Sequence, residues 1–370
     1  MDVLAVSTWY PNDSAPVMGV FVEKDVHLLA QDHHVEVVHL VAPHLYDGGP
    51  ATVERDGVTV HRIVMSTQRP DHVLRARRAL EPFLSGADLV HSMAFSSLLP
   101  FAGRRPDQPW VHTEHWSGVS DPASLPLTWR AMMPALRRLL AAPDVVTAVC
   151  ERLARPVRAV RERPTTVVPC IVPVPEPVPA RPLRSGLLRL VAVGGLVEGK
   201  APLLAVETLA ALRSRGCDAE LSWVGDGPLR TRVAEEARRL GLEQRVRLLG
   251  VRDTAGVSAA LADADLFLLP TRAENFCVSA AEALVHGRPV VVGANGGQAE
   301  YVRPEAGELV PLQEAGAYAE AVIAVDERTR GLDAESVAAT VGDRFSPETV
   351  RRGYAAAYEV AVRSAGSGRP

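Results

Sequence analysis

Short apolar runs rich in Val, Ile and Leu alternate along the chain with stretches whose apolar residues recur every three or four positions. The first pattern predicts β-strands and the second predicts helices. Because the strand candidates are apolar on both faces, they are typical of parallel sheets covered by helices on both sides. The predicted strands are Val3–Val6, Val35–Leu40, Val58–Val64, Leu89–His91, Val145–Val149, Leu188–Val193, Glu220–Val224, Val246–Leu248, Asp265–Leu269 and Pro289–Val292. The predicted helices include Val20–Ala30, Ala201–Leu212, Leu229–Leu240, Ala255–Leu261 and Val278–His286.

The alternation stops between residues 164 and 182, where seven prolines occur. Proline cannot continue a helix or sit in a central strand, so this segment is expected to be an extended linker. The pattern predicts an N-terminal α/β domain over residues 1–172, a linker over 173–186 and a second α/β domain over 187–345. A helix over 346–363 follows the last strand and is free to pack elsewhere. Residues 364–370 are expected to be a disordered tail.

Composition narrows the classes of function. The chain has 370 residues, a formal net charge of −4 and only 5% aromatic residues, which argues against a nucleic-acid binder. Its four cysteines show neither metal-ligand spacing nor the density of a disulfide framework. The first residues do not resemble a signal peptide, and no apolar stretch approaches the length of a transmembrane helix. A soluble cytoplasmic protein is therefore the expectation.

The most specific stretch of sequence runs from Leu268 to Ala283. A buried strand should end at Pro270, and a helix should begin near Cys277 or Val278. The backbone N–H groups at the start of that helix form a ready anion site, which Glu274 and Glu282 could flank. Carboxylates suit the vicinal hydroxyls of sugars and ribose. The alternative is that Glu274 caps the helix and Glu282 is a surface charge.

Three glycine-rich turns follow predicted strands, at the sheet edge where ligands of open α/β sheets bind. They are Gly194–Lys200, Gly225–Pro228 and Gly296–Glu300. Each one alone could be ordinary turn chemistry.

The order and spacing of these motifs resemble the retaining family-four glycosyltransferases. That family shows a glycine strand end followed by a lysine, a Gly-x-Gly-Pro turn, a Glu-x7-Glu motif and a Gly-Gly-x-x-Glu turn. The resemblance covers nearly the whole chain and is densest over residues 188–312. It implies a GT-B fold, in which two Rossmann-like domains face a central cleft and the C-terminal helix crosses back to the N-terminal domain. The N-terminal domain would bind the acceptor, and the second would bind a nucleotide-sugar donor.

The resemblance also implies roles for single residues. Lys200 would neutralise the donor diphosphate, and Glu282 would hold the ribose. Glu274 and His115 would be catalytic, with His112 the competing histidine and more plausibly a packed strand residue. The remaining donor-binding positions are Gly19, Gly225, Asn275, Phe276, Cys277 and Val278.

Two positions depart from the family pattern. The family arginine before the lysine is Gly195, and the glycine after Phe276 is Cys277. Arg272 is a candidate substitute at the diphosphate. The sequence predicts no metal site and no cofactor.

The predicted function is that of a metal-independent retaining glycosyltransferase of the hexosyltransferase type. Its acceptor would be a natural product, a polysaccharide precursor or a glycolipid. A nucleotide-sugar 2-epimerase of the same fold and a catalytically weakened nucleotide-sugar binding protein remain as alternatives. The basic amphipathic stretch over residues 127–140 leaves peripheral membrane contact open, although a surface helix or one lining the acceptor pocket is favoured.

Overall fold

The computed structural model describes residues 1–183 and 186–366, and it divides into two compact units. Unit 1 comprises Met1–Ile171 together with the chain from Pro347 on, and unit 2 comprises Val172–Ser346. No helix in these described ranges is both long enough and apolar enough to cross a membrane.

Unit 1 is built on an eight-stranded sheet in the described residues, with the strand order β3-β4-β2-β1-β5-β6-β7-β8. All neighbours in it are parallel except β3 and β4. Its elements are β1 (Asp2–Ser7), α1 (Val20–Leu29), β2 (His34–Val41), β3 (Thr52–Arg55), β4 (Val58–Val64), α2 (Pro70–Leu84), β5 (Leu89–Met93), β6 (Trp110–Glu114), α3 (Ser117–Ser120), α4 (Leu127–Leu136), β7 (Val145–Ala148), α5 (Glu151–Arg158) and β8 (Thr165–Val167).

Unit 2 contains a six-stranded sheet in the described residues, with the order β11-β10-β9-β12-β13-β14 and only parallel neighbours. Its elements are β9 (Leu188–Val193), α6 (Pro202–Ser214), β10 (Ala219–Val224), α7 (Arg230–Arg239), β11 (Val246–Gly250), α8 (Thr254–Ala262), β12 (Leu266–Leu269), α9 (Val278–Val285), β13 (Val290–Gly293), β14 (Gly307–Val310), α10 (Ala315–Thr329) and α11 (Ala334–Ala338).

The last helix, α12 (Pro347–Gly366), packs on β6, β7 and α1 and so completes unit 1. Its apolar face buries Val350, Tyr354, Tyr358 and Ala361 in the same core as the central strands. The prediction that the C-terminal helix returns to the N-terminal sheet is confirmed. The helix continues three residues past its predicted end at residue 363, so residues 364–366 of the predicted tail are helical. Residues 367–370 of that tail lie outside the described residues.

Within the proline-rich residues 164–182, Thr165–Val167 form β8, and residues 168–182 form neither helix nor strand. This segment is tied to unit 2 by a buried arginine. The side chain of Arg288 is fully buried, and its Nη2 donates to the carbonyl oxygens of Pro179 and Ala180 at 3.1 and 2.8 Å. The same guanidinium donates to the carbonyls of Leu261 and Ala262, at the end of α8. Part of the predicted linker is thus fastened to the unit that follows it.

Candidate functional site

The ends of two neighbouring strands form the first part of the site, in unit 2. Lys200 follows β9 and Glu274 follows β12, and these strands lie side by side in the sheet. Because parallel strands end at one edge, the two side chains meet: the Lys200 ammonium and the Glu274 carboxylate form an ion pair. The Thr271 hydroxyl donates to the same carboxylate oxygen at 2.9 Å. The structure therefore brings together two residues that the sequence predicted separately.

The ion pair is partly shielded from water, with side chains 26% and 13% exposed for Lys200 and Glu274. Burial is the largest single influence and lowers the pKa of Lys200. The charge of Glu274, its hydrogen bond to the ammonium and the nearby Cys277 together outweigh burial, so the pKa lies above its usual value. Lys200 is therefore a cation at neutral pH. Its stem lies against Gly194, whose added Cβ would be 3.6 Å from it. This cluster offers one fixed positive charge beside one hydrogen-bonded carboxylate.

The loop that follows Glu274 is rigidly held. Phe276 is buried against the rings of Tyr301 and Phe345, with centroid distances of 5.5 and 5.0 Å. The Tyr301 hydroxyl donates to the carbonyl of Cys277 at 2.7 Å. Cys277 stands in the left-handed region (φ 63°) directly before α9 and provides no side-chain cap. Glu274 is therefore not the cap of this helix, and that half of the alternative is wrong.

Cys277 replaces the glycine that the family pattern has at this position. Burial raises the pKa of its thiol to about 12, so it stays protonated at neutral pH. A buried protonated thiol is a small apolar group and not a nucleophile. The substitution thus leaves the charge of the site unchanged.

Other predicted donor residues surround this cluster. Gly225 (φ 129°) needs to be glycine because an added Cβ would lie 2.0 Å from the Gly194 carbonyl oxygen. Asn275 and Val278 are half-buried at the start of α9, and Glu282 is half-buried in its second turn. The predicted residues of unit 2 therefore lie at the carboxyl edge of its sheet or in the helix that follows it. They are Lys200, Gly225, Glu274, Asn275, Val278 and Glu282.

Arg272 lies beside the turn that carries Lys200, and its place at the diphosphate stays a prediction. Its backbone N–H donates to the Gly199 carbonyl at 2.9 Å. The residue lines a cavity of about 280 Å³ together with Glu198, Glu207 and Arg232. Among the residues that the structure describes, neither Lys200 nor Glu274 lines that cavity.

Two predicted residues, Gly19 and His115, belong to unit 1. Gly19 precedes α1 with φ 78°, and an added Cβ would lie 2.4 Å from the carbonyl carbon of Trp9. Close packing of the chain against itself thus requires glycine here. His115 is the first residue after β6, with its ring centroid 4.5 Å from that of Phe21.

The imidazole of His115 is neutral at neutral pH. Burial, and to a smaller degree the nearby His112, lowers its pKa to about 3. Its Nε2 lies 3.7 Å from Oδ2 of Asp25. Burial raises the pKa of the Asp25 carboxyl to about 7, although Tyr354 of α12 donates to it at 2.9 Å. Burial thus disfavours charge on both partners, so the imidazole can donate or accept a hydrogen bond without gaining a proton.

The competing histidine is a structural residue, as predicted. His112 is fully buried in β6, and its Nδ1 lies 2.9 Å from the Ser92 hydroxyl. The neighbouring Glu114 accepts hydrogen bonds from the backbone N–H groups of His115 and Trp116, both at 2.8 Å. This buried carboxylate fixes the loop that carries His115.

Sequence reasoning missed the residues that support the site, namely Asp25, Glu114, Thr271 and Tyr354. A weak signal existed for Asp25, because it interrupts the apolar face of α1 between Val22 and Val26. Within the part of the chain that the structure describes, no group of three or more His, Cys, Asp or Glu side chains could hold a metal ion.

Two family models match the chain. The family described as "Glycosyl transferases group 1" matches residues 188–327, and "Glycosyltransferase Family 4" matches residues 26–174. Each match falls within one half of the chain, and together they span most of it.

Curated relatives share part of their length with this chain. WcaL of Escherichia coli K12, whose name assigns it to colanic acid biosynthesis as a glycosyltransferase, is 31% identical over 46% of this chain and 41% of its own. The 2-deoxystreptamine N-acetyl-D-glucosaminyltransferase of Niallia circulans is 33% identical over 35% of this chain and 32% of its own. The chain thus aligns with less than half of each of these proteins.

Solved structures resemble the whole chain. Sucrose-phosphate synthase of Thermosynechococcus elongatus has a TM-score of 0.78 at 20% identity and covers 97% of this chain and 98% of its own. The Anabaena protein HepE, in complex with UDP and glucose, has a TM-score of 0.74 at 18% identity and covers 97% and 99%. At these identities the likeness establishes the fold.

Proposed function

The chain belongs to the family-four glycosyltransferases of GT-B fold, and we propose that it transfers a sugar from a nucleotide-diphosphate sugar to an acceptor hydroxyl. The observation that carries the proposal is the Lys200–Glu274 pair, shielded at the carboxyl edge of the unit 2 sheet beside the Gly194 turn. Relatives named for GDP-mannose-dependent transfer and neighbours with bound UDP support such a donor.

The proposed reaction breaks the bond between the anomeric carbon and the diphosphate oxygen and forms one to the acceptor oxygen. The acceptor proton leaves with the diphosphate or to water. Negative charge grows on the leaving group, so the Lys200 ammonium and the N-terminus of α9 stabilise the transition state. Preorganised donors of this kind contribute several kcal/mol.

The ion pair supports a role for Glu274 in binding the donor sugar. A bound diphosphate competes with the Glu274 carboxylate for Lys200, because both are anions that bind one ammonium. Drawing Lys200 to the diphosphate releases carboxylate oxygens that can accept hydrogen bonds from sugar hydroxyls. Glu282 would hold the ribose in the same site. In unit 1, the neutral imidazole of His115 would bind a hydroxyl of the sugar or acceptor.

We further propose that the transferred sugar is a hexose, that it keeps its anomeric configuration, and that the reaction needs no metal or other cofactor. Unit 1 would bind the acceptor. Neither nucleic acid nor a membrane is proposed as a partner.

A two-stage experiment tests the activity. Thermal unfolding with UDP-, GDP-, ADP- and dTDP-sugars identifies the donor, because a ligand of the folded state raises the melting temperature. That donor is then incubated with a panel of alcohols, and nucleoside diphosphate release and product mass are measured. We expect one sugar added to one acceptor, with its anomeric configuration retained by NMR. Epimerised donor without transfer would indicate the 2-epimerase, and binding without turnover would indicate a binding protein.

A further inference from the structure

A cavity of about 420 Å³ lies in unit 1, at the carboxyl ends of five neighbouring strands. Residues that follow each strand form its walls: Trp9 after β1, Leu45 after β2, Met65 after β4, Phe95 after β5 and Trp116 after β6. This is the edge at which open α/β sheets bind ligands. The volume falls in the range of sites for small molecules.

The lining is apolar and without formal charge. Three of the five tryptophans of the chain, Trp9, Trp116 and Trp129, contribute to it. The polar part consists of hydroxyl and amide groups and the exposed imidazole of His44. Among these groups are Thr8 and Ser96, whose hydroxyls are hydrogen-bonded to each other. Among the described residues that line the cavity there is no Asp, Glu, Lys or Arg. A charged ligand would therefore lose its hydration here without gaining a Lys, Arg, Asp or Glu partner.

The aromatic wall is preformed. The ring of Trp116 lies 5.4 Å from that of Phe95 and meets Trp129 edge-on at 6.3 Å, between centroids. Gly118 makes room for this indole, because an added Cβ would lie 2.5 Å from a ring atom of Trp116. Tryptophans held in this way present rigid apolar faces and lose little conformational freedom when a ligand binds.

The cavity adjoins the candidate catalytic histidine. Trp116 follows His115 directly in the chain. On the opposite side, Trp9 lies 6.0 Å from Phe21, and Phe21 lies 4.5 Å from His115, between ring centroids. Two lining tryptophans therefore connect the cavity to His115: Trp116 through the chain, and Trp9 through the ring of Phe21.

We propose that this cavity is the acceptor site, and that the acceptor is an uncharged small alcohol with an apolar ring system. This inference rests on the proposed glycosyltransferase activity, because it names the substrate that receives the sugar. The ring system packs on the tryptophans, and its hydroxyl reaches the polar side. Alcohols that carry a phosphate, carboxylate or ammonium group are disfavoured, because no Lys, Arg, Asp or Glu side chain is among the described lining residues. Polyhydroxy compounds without an apolar face are excluded because they would leave the apolar surfaces of the tryptophans without a packing partner.

Calorimetric titration of the full chain tests this with matched probes. 2-Naphthol supplies an uncharged ring with one hydroxyl, naphthalene-2-sulfonate supplies the same ring with an anion, and myo-inositol supplies hydroxyls without an apolar face. We expect 2-naphthol to bind with 1:1 stoichiometry and the other two to bind at least about a hundredfold more weakly. Trp129→Ala should weaken 2-naphthol about tenfold. The matched control Leu127→Ala, on the exposed side of the same helix, should change nothing.

A folding defect in Trp129→Ala would also weaken binding, so a second variant tests the cavity by a gain in affinity. Thr67→Arg places a cation in the cavity lining, so naphthalene-2-sulfonate should bind about tenfold more tightly to it than to wild type. Wild-type binding of the sulfonate or of myo-inositol as tight as that of 2-naphthol would overturn the inference. So would 2-naphthol binding that is unaffected by Trp129→Ala. Nucleoside diphosphates are titrated into the same samples: if they bind while 2-naphthol does not, only the acceptor inference fails. The reverse result would leave the cavity assigned and remove the proposed function.

Discussion

At the scale of single residues, the proposed chemistry of unit 2 depends on whether Lys200 binds the Glu274 carboxylate or the donor diphosphate. Lys200 is bound to Glu274, whose carboxylate also accepts from Thr271. The proposed donor diphosphate must displace this contact. The pair therefore holds Lys200 in place before the donor arrives, and donor binding would free Oε1 of Glu274 from the ammonium.

This sharing predicts opposite effects of Glu274→Gln on binding and turnover. The amide competes less for Lys200, so bare nucleoside diphosphate should bind as tightly as to wild type or more tightly. Sugar transfer should fall on the order of a hundredfold, because the carboxylate that holds the sugar is lost. Titration calorimetry and initial rates measure the two effects. Glu308→Gln, which removes a surface ion pair with Arg328, is the matched control and should alter neither.

The missing arginine predicts a gain of function. An added Cβ at Gly195 would meet its nearest atoms at 3.7 Å, so a side chain fits there. Gly195→Arg should tighten nucleoside diphosphate binding about ten- to a hundredfold through a charge-assisted contact, and added salt should reduce the gain. Titrations at low and high salt provide the measurement. If affinity does not change at either salt concentration, the diphosphate does not lie at this strand end.

Most site residues of unit 2 could be predicted from sequence, because strand-end turns and a helix start have local signatures. The supporting contacts could not. The hydrogen bond from Tyr354 to Asp25 joins residues 329 positions apart in the chain, and only folding brings them together.

At the scale of elements, a buried arginine joins the proline-rich segment before β9 to α8 and α9. Arg288 follows α9 and donates to four backbone carbonyls. Burial lowers the pKa of its guanidinium to about 10, so it remains charged at neutral pH. Such a group stabilises a structure only as long as all its partners are present.

We expect Arg288→Met to lower the free energy of unfolding by about 3 kcal/mol, because four backbone carbonyls lose hydrogen bonds from a charged donor. Urea denaturation followed by circular dichroism measures the change. Arg303→Met, at an exposed position, is the control and should stay within about 0.5 kcal/mol of wild type. A loss as small as that in Arg288→Met would contradict the assigned role.

The sequence predicted most of the central strands and several helices because they have buried, periodic apolar residues. It did not predict β6, a buried central strand in which polar residues follow Trp110 and Val111, or the long helix α10. It also missed strands that lack the apolar signal. β3 (Thr52–Arg55) is a partly exposed edge strand of the unit 1 sheet with alternating polar residues. β14 (Gly307–Val310) is a short strand at one edge of the unit 2 sheet. Edge strands bury one side only, so their composition resembles that of loops.

At the scale of the whole molecule, buried histidines make stability depend on pH. Burial lowers the pKa of His39 to about 4 and those of His91 and His115 to about 3. The unfolded chain therefore binds more protons than the native one below the ordinary histidine pKa of about 6.5. Stability from these residues is fully present above pH 6.5 and is lost as pH falls toward 4. Each contributes up to about 1.4 kcal/mol per pH unit.

Asp25 acts in the opposite direction. Its raised pKa of about 7 means that the native state holds a proton which the unfolded state releases between about pH 4 and 7. Asp25→Asn should therefore make the acid loss of stability steeper by about 1.4 kcal/mol per pH unit. Urea denaturation at pH 5 and 6 measures the slope. Asp88→Asn serves as the control, and equal slopes for Asp25→Asn and wild type would contradict a protonated Asp25.

The central claim is that the chain binds a nucleotide-sugar donor at the Lys200–Glu274 cluster. Calorimetric titration of UDP, GDP, ADP and dTDP into wild type, Lys200→Ala and Lys24→Ala tests it most directly, since these are the two lysines of the chain. The account predicts that one nucleotide binds wild type with 1:1 stoichiometry, that Lys200→Ala weakens it at least about tenfold, and that Lys24→Ala leaves it unchanged. Equal affinity of wild type and Lys200→Ala, or no binding of any of the four nucleotides, would contradict it.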